Sequence, residues 1–207
     1  MNDMKCRIIR GEVKPGIRAV QAGAEDKAAV NGLMVQAAAW LQSKGSKQWH
    51  ELLAGEDRHG VPEAIDRGDV FIFKKGEALA GMVILQQHAS AWDRSLWGDE
   101  GHESSVYLHR LCINRDFAGE QLGSAILDWA VNGIRFPRKD RIRLDCIASV
   151  PALNRLYSGA GFEYRGPAPE LRSISVKSGY RRRLTLRNKP CQDTKRGGLL
   201  PRRTPLR

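Results

Sequence analysis

The sequence predicts a mixed α/β domain: a twisted mixed sheet of about six or seven strands with helices on both faces. Three observations carry this. Segments of strand alternation and of helical spacing follow one another in the order strand, two helices, three strands, helix, strand, helix, two strands. Residues Asp69–Gln87 read as a hairpin about Lys75-Gly76-Glu77. Residues Tyr107–Trp129 read as a strand, a glycine-bearing turn and a helix. That arrangement directs free backbone N–H groups and the positive helix end at one point, which suits an anion.

Taken in order, Cys6–Val20 is strand material broken at Pro15-Gly16, with Ile17–Val20 as the first strand. Ala24–Lys44 carries apolar residues at helical spacing, and Gly45 is its stop. Val61–Arg67 forms a short second helix, with Pro62 tolerated in its first turn. Asp69–Lys74 and Ala78–Gln87 are the hairpin strands, followed by a long polar connection from His88 to Ser105. In the next strand, alternation places Tyr107, His109, Leu111 and Ile113 on one face and Leu108, Arg110 and Cys112 on the other. Leu122, Ala125, Ile126, Trp129 and Ala130 form the buried stripe of the following helix. Arg141–Ala148 is a strand, Pro151–Gly159 a helix, and Gly161–Arg165 and Tyr180–Arg187 the last strands. There are no internal repeats, so the reading is one domain over 1–189 and a disordered tail over 190–207.

Of 207 residues, 42% are hydrophobic, enough for a core. The net charge of +11 is uneven: residues 177–207 hold 11 Lys or Arg against one Asp, a net +10 that leaves +1 for the rest. The basicity therefore belongs to the C-terminal end, and a nucleic-acid partner is disfavoured for the body. Cys6, Cys112, Cys146 and Cys191 are scattered without CxxC or Cys/His spacing, which argues against a metal site or disulfide framework and for a reducing, cytoplasmic setting. No apolar run approaches the roughly 18 residues of a membrane span, and the N-terminus lacks the apolar core of a signal peptide.

The element order and three motifs resemble the GNAT superfamily of N-acetyltransferases over about Ile17 to Asn188. The first motif spans Leu111–Leu127. The family pattern there is Arg or Gln, two residues, Gly, one residue, then Gly or Ala, and it falls on Ala118, Gly119, Glu120, Gln121, Leu122 and Gly123. Ala118 and Gln121 depart from the pattern; Gly119 and Gly123 remain. The second, Leu144–Phe162, looks like the family's strand, short helix with Asn and Tyr, and Gly-Phe strand start. The third is the N-terminal strand and helix with the connection flanked by Trp40 and Trp49.

The resemblance implies acetyl-CoA as cofactor, splayed strands at Leu111 and Leu144, and a pyrophosphate held by backbone amides of residues 118–124, Ser124 included. It implies that the edge of Leu111, Cys112 and Ile113 pairs with the pantetheine, one of its N–H groups polarising the thioester carbonyl. Asn154 would support the pantetheine arm, and Tyr157, a phenol with an ordinary pKa of about 10, would serve as general acid. His109 is the candidate base, with an ordinary pKa near 6.5, and Tyr107 could order a water beside it. Glu103 is a weaker candidate. Trp40, Trp49 and Tyr107 are the candidate substrate contacts, and Trp92 and Trp97 add to an aromatic supply that favours a pocket for an apolar or aromatic amine. The expected partner is a small-molecule amine acceptor, with no membrane and a monomer or homodimer. Acetylation of a protein N-terminus or lysine is the alternative, and a non-catalytic acyl-CoA-binding or nucleic-acid-binding protein a further one.

Overall fold

The computed structural model describes residues 6–56, 60–167 and 181–187. The 190–207 tail lies outside them. Among the described residues, an eight-stranded sheet forms the spine. Its strands are β2 (Glu12–Lys14), β3 (Ile17–Gln21), β4 (Val70–Lys75), β5 (Ala78–Gln86), β6 (Ser105–Ile113), β8 (Arg141–Ile147), β10 (Arg181–Arg187) and β9 (Glu163–Pro167), in that spatial order. β1 (Arg7–Ile8) and β7 (Ile134–Arg135) make a separate two-stranded pair. Every neighbouring pair of the large sheet is antiparallel except β6 with β8. The eighth strand arises because Glu12–Lys14 turns at Pro15-Gly16 and pairs back onto β3.

Helices cover both faces. α1 (Lys27–Ser43), α2 (His50–Leu53) and α3 (Val61–Asp66) bury one cluster, with Val30, Leu33, Met34, Val61 and Ile65 packed with Val70, Ile72, Met82, Ile84 and Cys112. α5 (Leu122–Asn132) and α6 (Pro151–Gly159) bury the other, with Leu122, Ile126, Trp129 and Tyr157 packed with Phe71, Phe73, Val106, Leu108 and Leu144. β4 is apolar on both faces because it is buried on both: Val70, Phe71, Ile72 and Phe73 are all 0% exposed. Trp129 lies 5.2 Å from Phe73 and 5.5 Å from Phe71, ring centre to ring centre. Its indole N–H is satisfied by the Arg10 carbonyl at 2.7 Å.

The stretch 88–105, expected as a plain connection, contains a further helix, α4 (Ala91–Trp97). Its start is a capping box: the Ser90 hydroxyl accepts from Asp93 N, and the Asp93 carboxylate accepts from Ser90 N. Ser90 and Asp93 stood at that spacing in the sequence. No helix of the described residues is long and apolar enough to cross a membrane.

Candidate active site

β6 and β8 begin as neighbours and then part. They pair at Ser105–Arg141, Val106–Ile142 and Tyr107–Arg143, and no further pairs follow although β6 runs on to Ile113 and β8 to Ile147. From Leu108 and Leu144 onward the two edges face a gap. Leu111, Cys112 and Ile113 lie on one lip, and Asp145, Cys146 and Ile147 on the other.

A bulge in β6 changes which side chains share a face. Met82 of β5 stands opposite Cys112, and Ile84 opposite His109, so Arg110 and Leu111 together oppose Val83. Arg110, one of the two residues opposite Val83, takes a left-handed conformation (φ 51°). The simple alternation predicted for Tyr107–Ile113 is therefore wrong beyond His109. Leu108, Leu111 and Ile113 pack on the α5 side, while Cys112 is buried on the α1 side. The Arg110 guanidinium lies 5.5 Å from the ring centre of Trp49, which also packs on the α1 side. His109 does not share a face with Leu111 and Ile113. Nothing in the residue pattern signals a bulge here.

Beyond β6, a clamped loop leads into α5. Asn114 donates to the Leu79 carbonyl (2.9 Å) and accepts from Asp116 N (3.0 Å). Gln36 of α1 donates to Asn114 Oδ1 (3.3 Å) and accepts from Arg115 N (3.1 Å). Lys14 of β2 donates to the Glu120 carbonyl. Gly119 (φ 86°) and Gln121 (φ 55°) are both left-handed, and Gln121 is the N-cap of α5. Leu122, Gly123 and Ser124 form the first turn, whose N–H groups have no partner within the helix by geometry. A groove between α5 and α6 starts at Ser124 and is lined by Asp128, Asn132, Arg155 and Gly159. Ala118, extended (φ −65°, ψ 142°), precedes the turn. At the two departures from the pattern, Ala118 is thus extended and Gln121 left-handed.

α6 places the other predicted residues. Tyr157 is 7% exposed and meets Phe162 edge-on at 6.0 Å. Burial, with smaller contributions from Cys146, Asp145 and Cys112, pushes its phenol pKa well above the ordinary value. Asn154 donates to the carbonyls of Ala148 (2.8 Å) and Val150 (3.3 Å), pinning the turn between β8 and α6. Burial pushes the Cys112 thiol up to about 12, so it stays protonated at neutral pH.

On the opposite face, α4 spans the mouth of the gap. Its Asp93 Oδ1 stands 3.1 Å from His109 Nε2 on β6. Its Trp92 indole donates to Asp145 of β8 (3.1 Å), and Trp97 at its end lies 4.8 Å from the Arg143 guanidinium of β8. Asp93 is 1% exposed. Burial alone would raise its carboxyl pKa, but the hydrogen bond and charge of His109 and the two Ser90 bonds outweigh it, and the net shift is downward. His109 keeps 20% of its side chain exposed. Tyr107, expected at the substrate, is instead fully buried behind His109, its ring stacked on the imidazole at 6.5 Å. Its hydroxyl bonds His102 and lies 3.4 Å from Arg143. Trp49 flanks Arg110, while Trp40 is 37% exposed under the Arg115 guanidinium. Among the described residues no cluster of His, Cys, Asp or Glu could hold a metal ion.

No family model matches the chain. It is 49% identical over 154 residues to the uncharacterized N-acetyltransferase YesJ of Bacillus subtilis, covering 74% of this chain and 86% of that protein. An acetyltransferase of the GNAT family from Listeria monocytogenes superposes with a TM-score of 0.63 at 30% identity, over 83% of this chain and 94% of that one. The yncA acetyltransferase of Salmonella typhimurium, solved with acetyl-CoA, shares the fold at 13% identity and a TM-score of 0.58, over 84% and 94% of the two chains.

Proposed function

Because the chain belongs to the GNAT superfamily of N-acetyltransferases, we propose that it transfers the acetyl group of acetyl-CoA to a primary amine of a small molecule by direct attack. The observation that carries this reading is the parting of β6 and β8 after Tyr107 and Arg143. It leaves two strand edges open within a sheet that is otherwise paired, directly before a left-handed turn and a helix N-terminus. Open edges suit the amides of an extended arm, and the amide-rich turn suits a pyrophosphate. The chain's own residues therefore fit the donor.

Acetyl-CoA supplies an activated thioester. The edge at Leu111, Cys112 and Ile113 binds the pantetheine arm, and an N–H at Cys112 or Ile113 stabilises negative charge on the carbonyl oxygen. The amides from Ala118 to Ser124 bind the pyrophosphate, and the Asn154 contacts keep the facing turn in shape. Tyr157 keeps its proton at working pH and can give it to the departing thiolate. His109, on the side of the sheet away from α5, takes the proton of the acceptor ammonium. Trp49 with Arg110, and the cover formed by α4, favour a small acceptor over an extended peptide.

The test is a panel of aromatic and aliphatic primary amines, polyamines and short peptides with a free N-terminus or lysine, read by thiol release from acetyl-CoA alongside calorimetric binding. Release with a small amine is the expected outcome. Transfer to peptides alone would replace the small-amine reading with protein acetylation. No binding heat with millimolar acetyl-CoA would refute the enzyme reading altogether.

A further inference from the structure

We propose that Asp93 is the positioning residue for His109, fixing the imidazole so that Nδ1 is the atom that accepts the proton. This rests on the reading of His109 as base.

The Asp93 carboxylate is spent from both sides. Oδ2 accepts from Ser90 N (2.9 Å) and Ser90 Oγ (2.6 Å), while Oδ1 faces His109 Nε2 at 3.1 Å. An ionised carboxylate has no hydrogen to give, so the nitrogen beside it carries one. In the neutral imidazole the lone pair then lies on Nδ1. Asp93 is itself immobilised: 1% exposed, N3 of the capping box, and on a helix tied to β8 through Trp92 and Asp145. Behind the ring, Tyr107 stacks at 6.5 Å with its hydroxyl engaged by His102 and Arg143. The imidazole is thus held at one nitrogen and at one face. It sits two residues beyond Tyr107, the last residue of β6 paired to β8. Ser90 and Asp93 alone would make a sufficient cap. A cap does not require a second-strand histidine at its free oxygen, and that placement calls for a role at His109.

Asp93→Asn separates the two roles. The Asn oxygen must turn to the Ser90 N–H, as the only acceptor the amide has, so the cap persists and the NH₂ faces His109. Nε2 then becomes the acceptor and the hydrogen moves to Nδ1. ¹⁵N NMR of the histidine side chains, assigned with His109→Gln, should show Nε2–H in the wild type and Nδ1–H in Asp93→Asn. Turnover is measured with acetyl-CoA and the fastest amine of the panel above. Asp93→Asn should lower kcat by about 100-fold or more, the range of a general base, with acetyl-CoA affinity near wild type and a single cooperative unfolding transition kept at a lower Tm, since the charge that His109 stabilises is gone. In a His109→Gln background, Asp93→Asn should cost almost nothing further, since it acts through the ring. Full additivity of the two substitutions, or an unchanged tautomer, overturns the proposal. If His109→Gln is slow while Asp93→Asn has wild-type kcat, the positioning role alone fails. If His109→Gln is itself at wild-type kcat, the base reading fails and takes this one with it.

Discussion

Replacing Tyr157 with Phe removes one oxygen and nothing else. The ring is buried in the cluster under α6 and edge-on to Phe162 at 6.0 Å and 71°, and a Phe ring keeps every one of those contacts. Removing a buried hydroxyl changes unfolding free energy by about 1 kcal/mol or less, which for a chain of this size is about 2–4 °C in Tm. Losing a general acid costs about 100-fold to 10,000-fold in rate, or about 3–5 kcal/mol of barrier. The two effects are far enough apart to be told from each other in one variant. The expected result is a kcat at least about 100-fold down, with acetyl-CoA affinity by calorimetry unchanged and Tm within a few degrees. The pH profile gives a second reading. Burial raises the phenol pKa above its ordinary value of about 10, so the proton stays in place and wild-type kcat has no basic limb from this group below that pH. A Tyr157→Phe enzyme with wild-type kcat, or one whose affinity falls in step with its rate, would remove Tyr157 from the acid role.

Gly81→Ala probes the packing of β5 on β6. A Cβ there would stand 2.9 Å from the Cys112 carbonyl oxygen, which is backbone and cannot move aside, and 3.1 Å from Ile126 Cδ1. Overpacking of this kind costs about 1–3 kcal/mol, so thermal unfolding should come several degrees earlier; an unshifted Tm would mean that β6 can give way beside its bulge. Acid should also destabilise the fold. The Asp26 carboxyl, which burial alone would raise, is held low by Lys74 and the Gly23 N–H. Asp93 is held low by His109 and Ser90 against its burial, and Asp128 by Arg10 first and Asn132 second. Folded-state values below the unfolded value of about 3.9 give stability that is present above that pH and lost as pH falls through it and below. The urea midpoint should therefore drop between pH 5 and pH 3, and a flat or rising midpoint there would contradict the three pairings.

Local signals carried most of the fold. The helix Pro151–Gly159 runs between the predicted residues because Pro151 fits a first turn and Asn154 closes the turn before it. The hairpin at Gly76 follows from a glycine with φ 58° between two apolar runs. What stayed hidden depends on pairing across the chain. α4 had a legible start at Ser90 and Asp93, but its length of seven residues and its charged positions gave no clear apolar stripe. That Asp93 meets His109, sixteen residues on and in another element, follows only from the path of the connection. The Gln36 clamp on Asn114 and Arg115 likewise joins residues about eighty apart. The bulge at Arg110 is invisible because a charged residue reads equally well as the outward member of an unbroken alternation.

One site of backbone strain, Gln121, coincides with a departure from the family pattern. Four non-glycine residues have left-handed φ among the described residues: Trp49, Arg110, Gln121 and Arg138. Each costs on the order of 1–3 kcal/mol and persists only where its surroundings fix it. Two of them touch, with the Arg110 guanidinium over the Trp49 ring, on the face of β6 that His109 occupies. Gln121 opens α5, with the clamped loop on one side and buried Leu122 on the other. Glycine at 121 would adopt the same φ without steric cost. Glutamine reaches it because Leu122, Ile126 and Trp129 fix α5 against the sheet while Lys14, Gln36 and Asn114 fix the chain before it. The turn is therefore held from outside, by packing and by hydrogen bonds to neighbouring elements, and these supports are what let a glutamine occupy a conformation that favours glycine.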